Sequence, residues 1–177
     1  MTQTFKDYRT DHLADEYMTQ EQKAYLSSLN AVAFGNLNSV GTDLAAPTVT
    51  WAGKALDLAS KVTVKYIFDP SAYPGQVKDL SLHIAYLDVE DVVREAVISQ
   101  SEVYDSARGL YVFSFDGLLA AELRTAISAR IYAGTTPVSQ VLRYSPDTYG
   151  NNKTGALGEL CKALFAYSDS AKAYLTN

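Results

Sequence analysis

The sequence predicts a mainly β protein of the α+β kind. It reads as an antiparallel β-sandwich, immunoglobulin-like in general architecture, with an N-terminal helix and a C-terminal amphipathic helix packed on it. Three observations predict this. From residue 48 to residue 144 apolar residues recur at every second position in short runs, the period of half-buried strands. Turn residues separate those runs at close intervals, with little room for crossover helices, which favours antiparallel over parallel sheets. Only at the two ends does the period lengthen to the three- and four-residue steps of a helical face.

Residues 1–18 carry mixed charge punctuated by Phe5, Tyr8 and Tyr17 and read as a short helix or an extended arm. Thr19 followed by Gln22 is a capping-box pattern, after which Tyr25, Leu26, Leu29, Val32 and Ala33 form a helical stripe. Gly35 is placed to end that helix in the left-handed conformation. Residues 36–47, with Gly41, Pro47 and small polar residues, read as a linker. The predicted division is therefore an N-terminal helical arm and linker over 1–47 and a sandwich with its closing helix over 48–177.

Strands follow in order. Thr48–Trp51 and Lys54–Leu58 flank Gly53, read as a turn, and Val62, Val64, Tyr66 and Phe68 alternate after them. PSAYPG at 70–75 is a break. Leu80, Leu82, Ile84 and Tyr86 alternate next, then an acidic turn over 88–91 and a strand near Val92–Ile98. Another turn covers 105–109, before Tyr111, Phe113 and Phe115 line one strand face. LLAAELR at 118–124 suits a short helical connection. Ile127, Ala129 and Ile131 resume the alternation, and Val138–Tyr144 completes the set. In the closing helix, Ala156–Leu175, the positions Leu157, Leu160, Cys161, Leu164, Ser168, Ala171 and Leu175 predict the buried face. Thr154 or Gly155 caps its start.

Composition narrows the function classes. The 177 residues are 47% hydrophobic and 20% charged, enough for one domain with a real core. The net charge of −5 is scattered, which argues against a nucleic-acid partner or an anionic membrane surface, since both attract a basic face. No apolar run reaches the length of a membrane span, so direct membrane insertion is not expected. Residues 1–15 lack the basic-then-apolar layout of a secretory signal, which fits a cytoplasmic chain and a module of a longer secreted chain equally. The single cysteine, Cys161, excludes an intrachain disulfide and lies on the apolar helix face, where it reads as a small buried hydrophobe.

No nucleophile elbow, phosphate-binding loop, dinucleotide fingerprint or zinc motif is present, and neither His12 nor His83 neighbours a second metal ligand. No catalytic residue and no cofactor is expected, and the chain reads as a non-enzyme. The candidate metal site is the acidic cluster Asp88, Glu90 and Asp91, joined by Asp105 from a nearby turn, with oxygen ligands that suit Ca²⁺. The candidate ligand-binding residues are Trp51, Tyr73 and Tyr104. They fall at a strand end or in turns, where a ring is less easily buried and is free to stack on a sugar or a protein partner.

Four segments, KALDLASKVTVKYIFD (54–69), GLYVFSFDGLLAAELRTAISARIYAG (109–134), LRYSPDTYG (142–150) and LGELCKALFAYSDSAKAYLTN (157–177), resemble a repeated module of secreted or surface-displayed multi-modular proteins of Gram-positive anaerobic bacteria. The resemblance covers about 48–177 and leaves 1–47 outside. It implies an extracellular or cell-surface setting and no catalytic residues. The expected partners are neighbouring modules or other surface proteins. The expected function is a non-catalytic accessory module acting in spacing, docking or adhesion. The alternatives are a carbohydrate-binding module that stacks polysaccharide on Trp51, Tyr73 and Tyr104, and a self-assembling coat or filament subunit that exchanges its terminal helices.

Overall fold

In a computed structural model, the structure describes residues 43–58, 61–150 and 153–176. All of them belong to one compact unit, residues 36–177. The N-terminal helix expected before Gly35 lies outside the described residues.

Two antiparallel sheets face each other. The first has four strands in the order β1 (Thr50–Leu58), β2 (Val62–Asp69), β6 (Leu110–Phe115) and β5 (Glu102–Asp105). The second runs β4 (Val93–Ile98), β3 (Leu80–Leu87), β7 (Ile127–Ala133) and β8 (Thr136–Pro137), with β9 (Leu142–Tyr144) also paired to β7. Alternation explains the core. Val64, Tyr66 and Phe68 of β2 and Phe113 and Phe115 of β6 point inward. They meet Leu80, Leu82 and Ile84 of β3 and Ile127, Ala129 and Ile131 of β7 in one buried cluster. Phe68 and Phe113 stack with centroids 5.0 Å apart. On the outward side of β2 and β6, Ile67, Leu110 and Val112 form a smaller buried cluster.

Several sequence expectations change. Gly53 is no turn: β1 runs through it, and the register shifts between Trp51 and Gly53, so the glycine sits at a bulge. The strand expected over 138–144 is split: the Val138 N–H still donates to the Ile131 carbonyl at 2.9 Å, but at Ser139 the backbone leaves the ladder. The buried Ser139 hydroxyl takes over, accepting the Ile131 N–H at 2.9 Å. The LLAAELR connection is short and helical as expected, a 3-10 turn over Ala120–Glu122 in which the Glu122 carboxylate accepts the Leu119 N–H at 2.8 Å. β5 and a five-residue helix α1 (Pro146–Gly150) had no sequence counterpart.

Part of the expected linker belongs to the sandwich. The Gln140 side chain brackets Leu44, its Oε1 accepting the Leu44 N–H at 2.8 Å and its Nε2 donating to the Leu44 carbonyl at 2.7 Å. The N–H groups of Thr48 and Val49 both donate to the Val138 carbonyl.

The closing helix α2 (Gly155–Leu175) has the expected length, and the expected Cys161 and Ser168 are buried, but the buried flank is centred to one side of the leucine pattern. Gly158, Cys161, Phe165 and Ser168 are buried, whereas Leu157, Leu160 and Leu175 are exposed and Leu164 is half-buried. Backbone approach decides between the flanks. A Cβ at Gly158 would stand 2.6 Å from the Lys153 carbonyl, and one at Gly150 would stand 2.9 Å from the Cys161 Cβ, so the two glycines let α2 settle on the Cys161–Phe165 side. That side meets Leu123, with Leu58 and Val62 from the β1–β2 end of the sandwich. Arg124 donates from Nε and Nη2 to the Asp169 carboxylate at 2.7 and 3.0 Å, and Lys172 pairs with Asp91 at 3.2 Å.

The Tyr66 hydroxyl is fully buried and has no hydrogen-bond partner, and burial, then the nearby Tyr144, pushes its phenol above the usual value. Leaving a buried hydroxyl unpaired costs about 1–3 kcal/mol, whereas removing it costs nothing in pairing. Tyr66→Phe is therefore expected to hold or raise the urea midpoint. A lower midpoint at unchanged slope would show that the hydroxyl is paired in solution.

Candidate functional site

Three places on the sandwich present groups that could bind or react: the aromatic residues, the acidic turn and the outer face of α2. The structure does not bring Trp51, Tyr73 and Tyr104 side by side. Trp51 lies on β1, one edge of the four-stranded sheet, and Tyr104 lies on β5, the opposite edge. Those edges are three strand spacings apart, about 14 Å. Trp51 is half-buried, its ring 6.3 Å from that of Tyr66 and its indole N–H donated to the Gln140 carbonyl at 2.9 Å. Tyr73 is half-buried against the core and folds back over Gly75, where a Cβ would meet its hydroxyl at 2.6 Å. Only Tyr104 is exposed.

Asp88, Glu90 and Asp91 share the β3–β4 turn, but each is used differently. Asp88 is buried. Its Oδ1 accepts the N–H groups of Glu90 and Val92, each at 2.9 Å, and its Oδ2 accepts Arg94 Nε at 2.7 Å. Burial opposes ionisation of this carboxyl, but the two N–H groups and the guanidinium outweigh it and hold the group below the usual carboxylate range. Asp91 takes a left-handed φ of 59° and reaches Lys172 on α2. Glu90 is exposed. Asp105, at the end of β5 in the other sheet, accepts the N–H groups of Ala107 and Arg108 within its own turn. Among the described residues no three His, Cys, Asp or Glu side chains are grouped to hold a metal ion. Of the four carboxylates expected as one Ca²⁺ site, Asp105 thus lies in the other sheet, Asp88 and Asp105 brace their own turns and Asp91 pairs with Lys172. The expected result of adding millimolar Ca²⁺ is an unchanged melting temperature. A saturable rise abolished by Asp91→Ala would restore the metal reading.

The depressed Asp88 carboxyl also sets a pH dependence. Its stabilisation is complete above the unfolded-state value of about 3.9 and is lost as pH falls through the lower folded-state value. Asp88→Asn should therefore be less stable than the parent at neutral pH and should lose less on acidification. Parallel losses for the two proteins in acid titration would show that the turn does not hold the charge.

Beside this turn lies an open groove of about 410 Å³, lined in part by Tyr86, Asp88, Glu90, Arg94, Leu119 and Glu122. Its three carboxylates against one guanidinium disfavour an anionic ligand; Asp88 has one oxygen on two backbone N–H groups and the other on Arg94, and one Glu122 oxygen accepts a backbone N–H. Tyr86 is kept neutral, burial first and the Glu122 charge second raising its phenol. The lining supplies no nucleophile paired with a base.

The third place is one that the leucine pattern located but assigned to the core. On α2 the residues Leu157, Leu160, Leu164, Tyr167, Ala171 and Tyr174 follow alternating three- and four-residue steps along one face. Leu157, Leu160, Tyr167 and Tyr174 are exposed by 40%, 47%, 62% and 84%, and with Leu175 they make up half of the large exposed apolar side chains among the described residues. At about 100° per residue, an arc of about 140° around this stripe carries no charge. Glu159, Lys162, Asp169 and Lys172 all fall outside it. The signal was available in the sequence: the uncharged arc of this helix is wider than one buried face requires.

Comparisons with known proteins give no matching family model, no matching curated protein and no matching solved structure.

Proposed function

We propose that the chain is a non-catalytic accessory module of an extracellular, multi-modular bacterial protein, immunoglobulin-like in architecture, that docks protein through the outer face of α2. The observation that carries this reading is the exposed apolar stripe on a helix already anchored by its other flank. Large exposed apolar patches mark interaction sites, and Tyr and Leu arrayed on a rigid helix present contact area at little cost in ordering. The strand orders support the architecture. With β1 to β7 taken as A, B, C, C′, D, E and F and β9 as G, the sheets read ABED and C′CFG, the order of immunoglobulin domains. The segments that resemble surface modules of Gram-positive anaerobes support the setting.

Polysaccharide binding finds less support, because Trp51 and Tyr73 give their faces to the core and Tyr104 stands alone on the far edge. The test is retention of the chain on immobilised bacterial surface proteins beside a glycan array. Retention on protein that Tyr167→Lys removes, with a silent array, is the expected result. Glycan binding that weakens on Trp51→Ala, while the fold survives, would overturn the docking reading.

A further inference from the structure

The stripe on α2 has a symmetry that selects its partner. Its six positions are spaced so that a second copy, laid antiparallel across a two-fold axis beside residues 165 and 166, matches every one of them. Leu157 meets Tyr174, Leu160 meets Ala171, and Leu164 meets Tyr167. Each layer sets an apolar side chain against another, and Leu160 against Ala171 sets a large one against a small one, as interdigitation requires. The open flank next to the stripe holds Ala163 and Ser170, whose small side chains allow the axes to come close.

Charge points the same way. A partner surface with acidic or basic residues would find no counter-charge on this arc, and burying its charges unpaired is costly. The one surface certain to be equally uncharged is the same face of another copy, and antiparallel packing also opposes the two helix dipoles. We propose that this chain self-associates through α2 as an antiparallel two-fold pair.

The pair is weak and reversible. A helix of 21 residues is about 31 Å long, and a face about 10 Å wide buries on the order of 600 Å² in total, below the range of permanent dimers. A two-fold pair also closes, so it yields dimers and not filaments. This proposal rests on the docking reading above in using the same face, but it is read on the purified chain alone, so its failure is separate from loss of retention on other proteins.

Sedimentation of the full chain from about 10 to about 500 µM should show the average mass rising toward twofold, the behaviour of a small interface. Tyr167→Lys and Leu160→Glu should each hold the chain monomeric, with thermal unfolding of the dilute protein unchanged. The pairing geometry has its own readout. A chain carrying both Ala163→Cys and Ser170→Cys should oxidise to a covalent dimer, because antiparallel packing sets 163 beside 170 of the other copy. Within one helix those positions are about 10 Å apart, too far for a disulfide. A chain that stays monomeric throughout, a dimer indifferent to Tyr167→Lys, or a failure of the double-cysteine chain to cross-link would each overturn the proposal.

Discussion

Replacing Phe165 by alanine is expected to cost about 3–5 kcal/mol, the range for emptying a buried aromatic site. The ring is 4% exposed, packs with Leu123 and Cys161, and lies 5.2 Å beneath the Arg124 guanidinium. It therefore holds both the apolar and the cationic contacts that seat α2. The main core between the sheets is a separate cluster, so helix signal should be lost at lower urea than strand signal. Tyr167→Ala and Tyr174→Ala, on the open face of the same helix, should change stability by less than about 0.5 kcal/mol. Equal losses at Phe165 and Tyr167 in urea unfolding would mean that the helix seats on its leucine stripe after all.

Gly150→Ala is expected to destabilise by about 1–3 kcal/mol although it adds only one methyl group. The methyl would stand 2.9 Å from the Cys161 Cβ and closer still to the Phe165 ring, a separation that side chains do not sustain. Cys161 is fixed to the helix backbone, so relief requires α2 to move away from α1. In a chain of this size the loss lowers the melting temperature by roughly 2–10 °C. The two sites share one contact, so their effects should not add. Gly150→Ala combined with Phe165→Leu should cost less than the sum of the two single changes. Strict additivity in that double-mutant cycle would show that the glycine matters for the conformation of α1 and not for the space it leaves.

What could be read in advance follows from how each element is stabilised. β2, β3 and β7 show clean alternation because one face of each is packed against the opposite sheet, and α2 is long enough for its period to register. β5 is four residues, EVYD, at a sheet edge with three of them exposed, so no alternation marks it. α1 is five residues, little more than one helical turn, too short for a period to repeat. Gly53 carries the same signal for a turn as for a bulge, and only pairing with β2 distinguishes them. For α2, periodicity located an apolar arc but could not say which flank would be covered, since that depends on Gly150 and Gly158 meeting neighbours distant in shape though near in sequence. The acidic cluster was visible as composition. Its use was not, because the Lys172 that engages Asp91 lies 81 positions away.

The way the chain enters the sandwich has a mechanical consequence. Before β1 joins the first sheet, the preceding residues are tied to the 138–141 stretch beside the second, through Asp43 to the Val141 N–H, Gln140 to both polar groups of Leu44, and Val138 to Thr48 and Val49. These contacts pair in opposite chain directions, 43 with 141 and 48 with 138. A pull applied at residue 43 thus loads this clasp before the β1–β2 ladder feels it, and the hydrophobic layer stays sealed until the clasp has given way. Residues 43–48 can therefore let go and rebind first, whereas release of Val49, fully buried in the cluster between the sheets, would open that cluster.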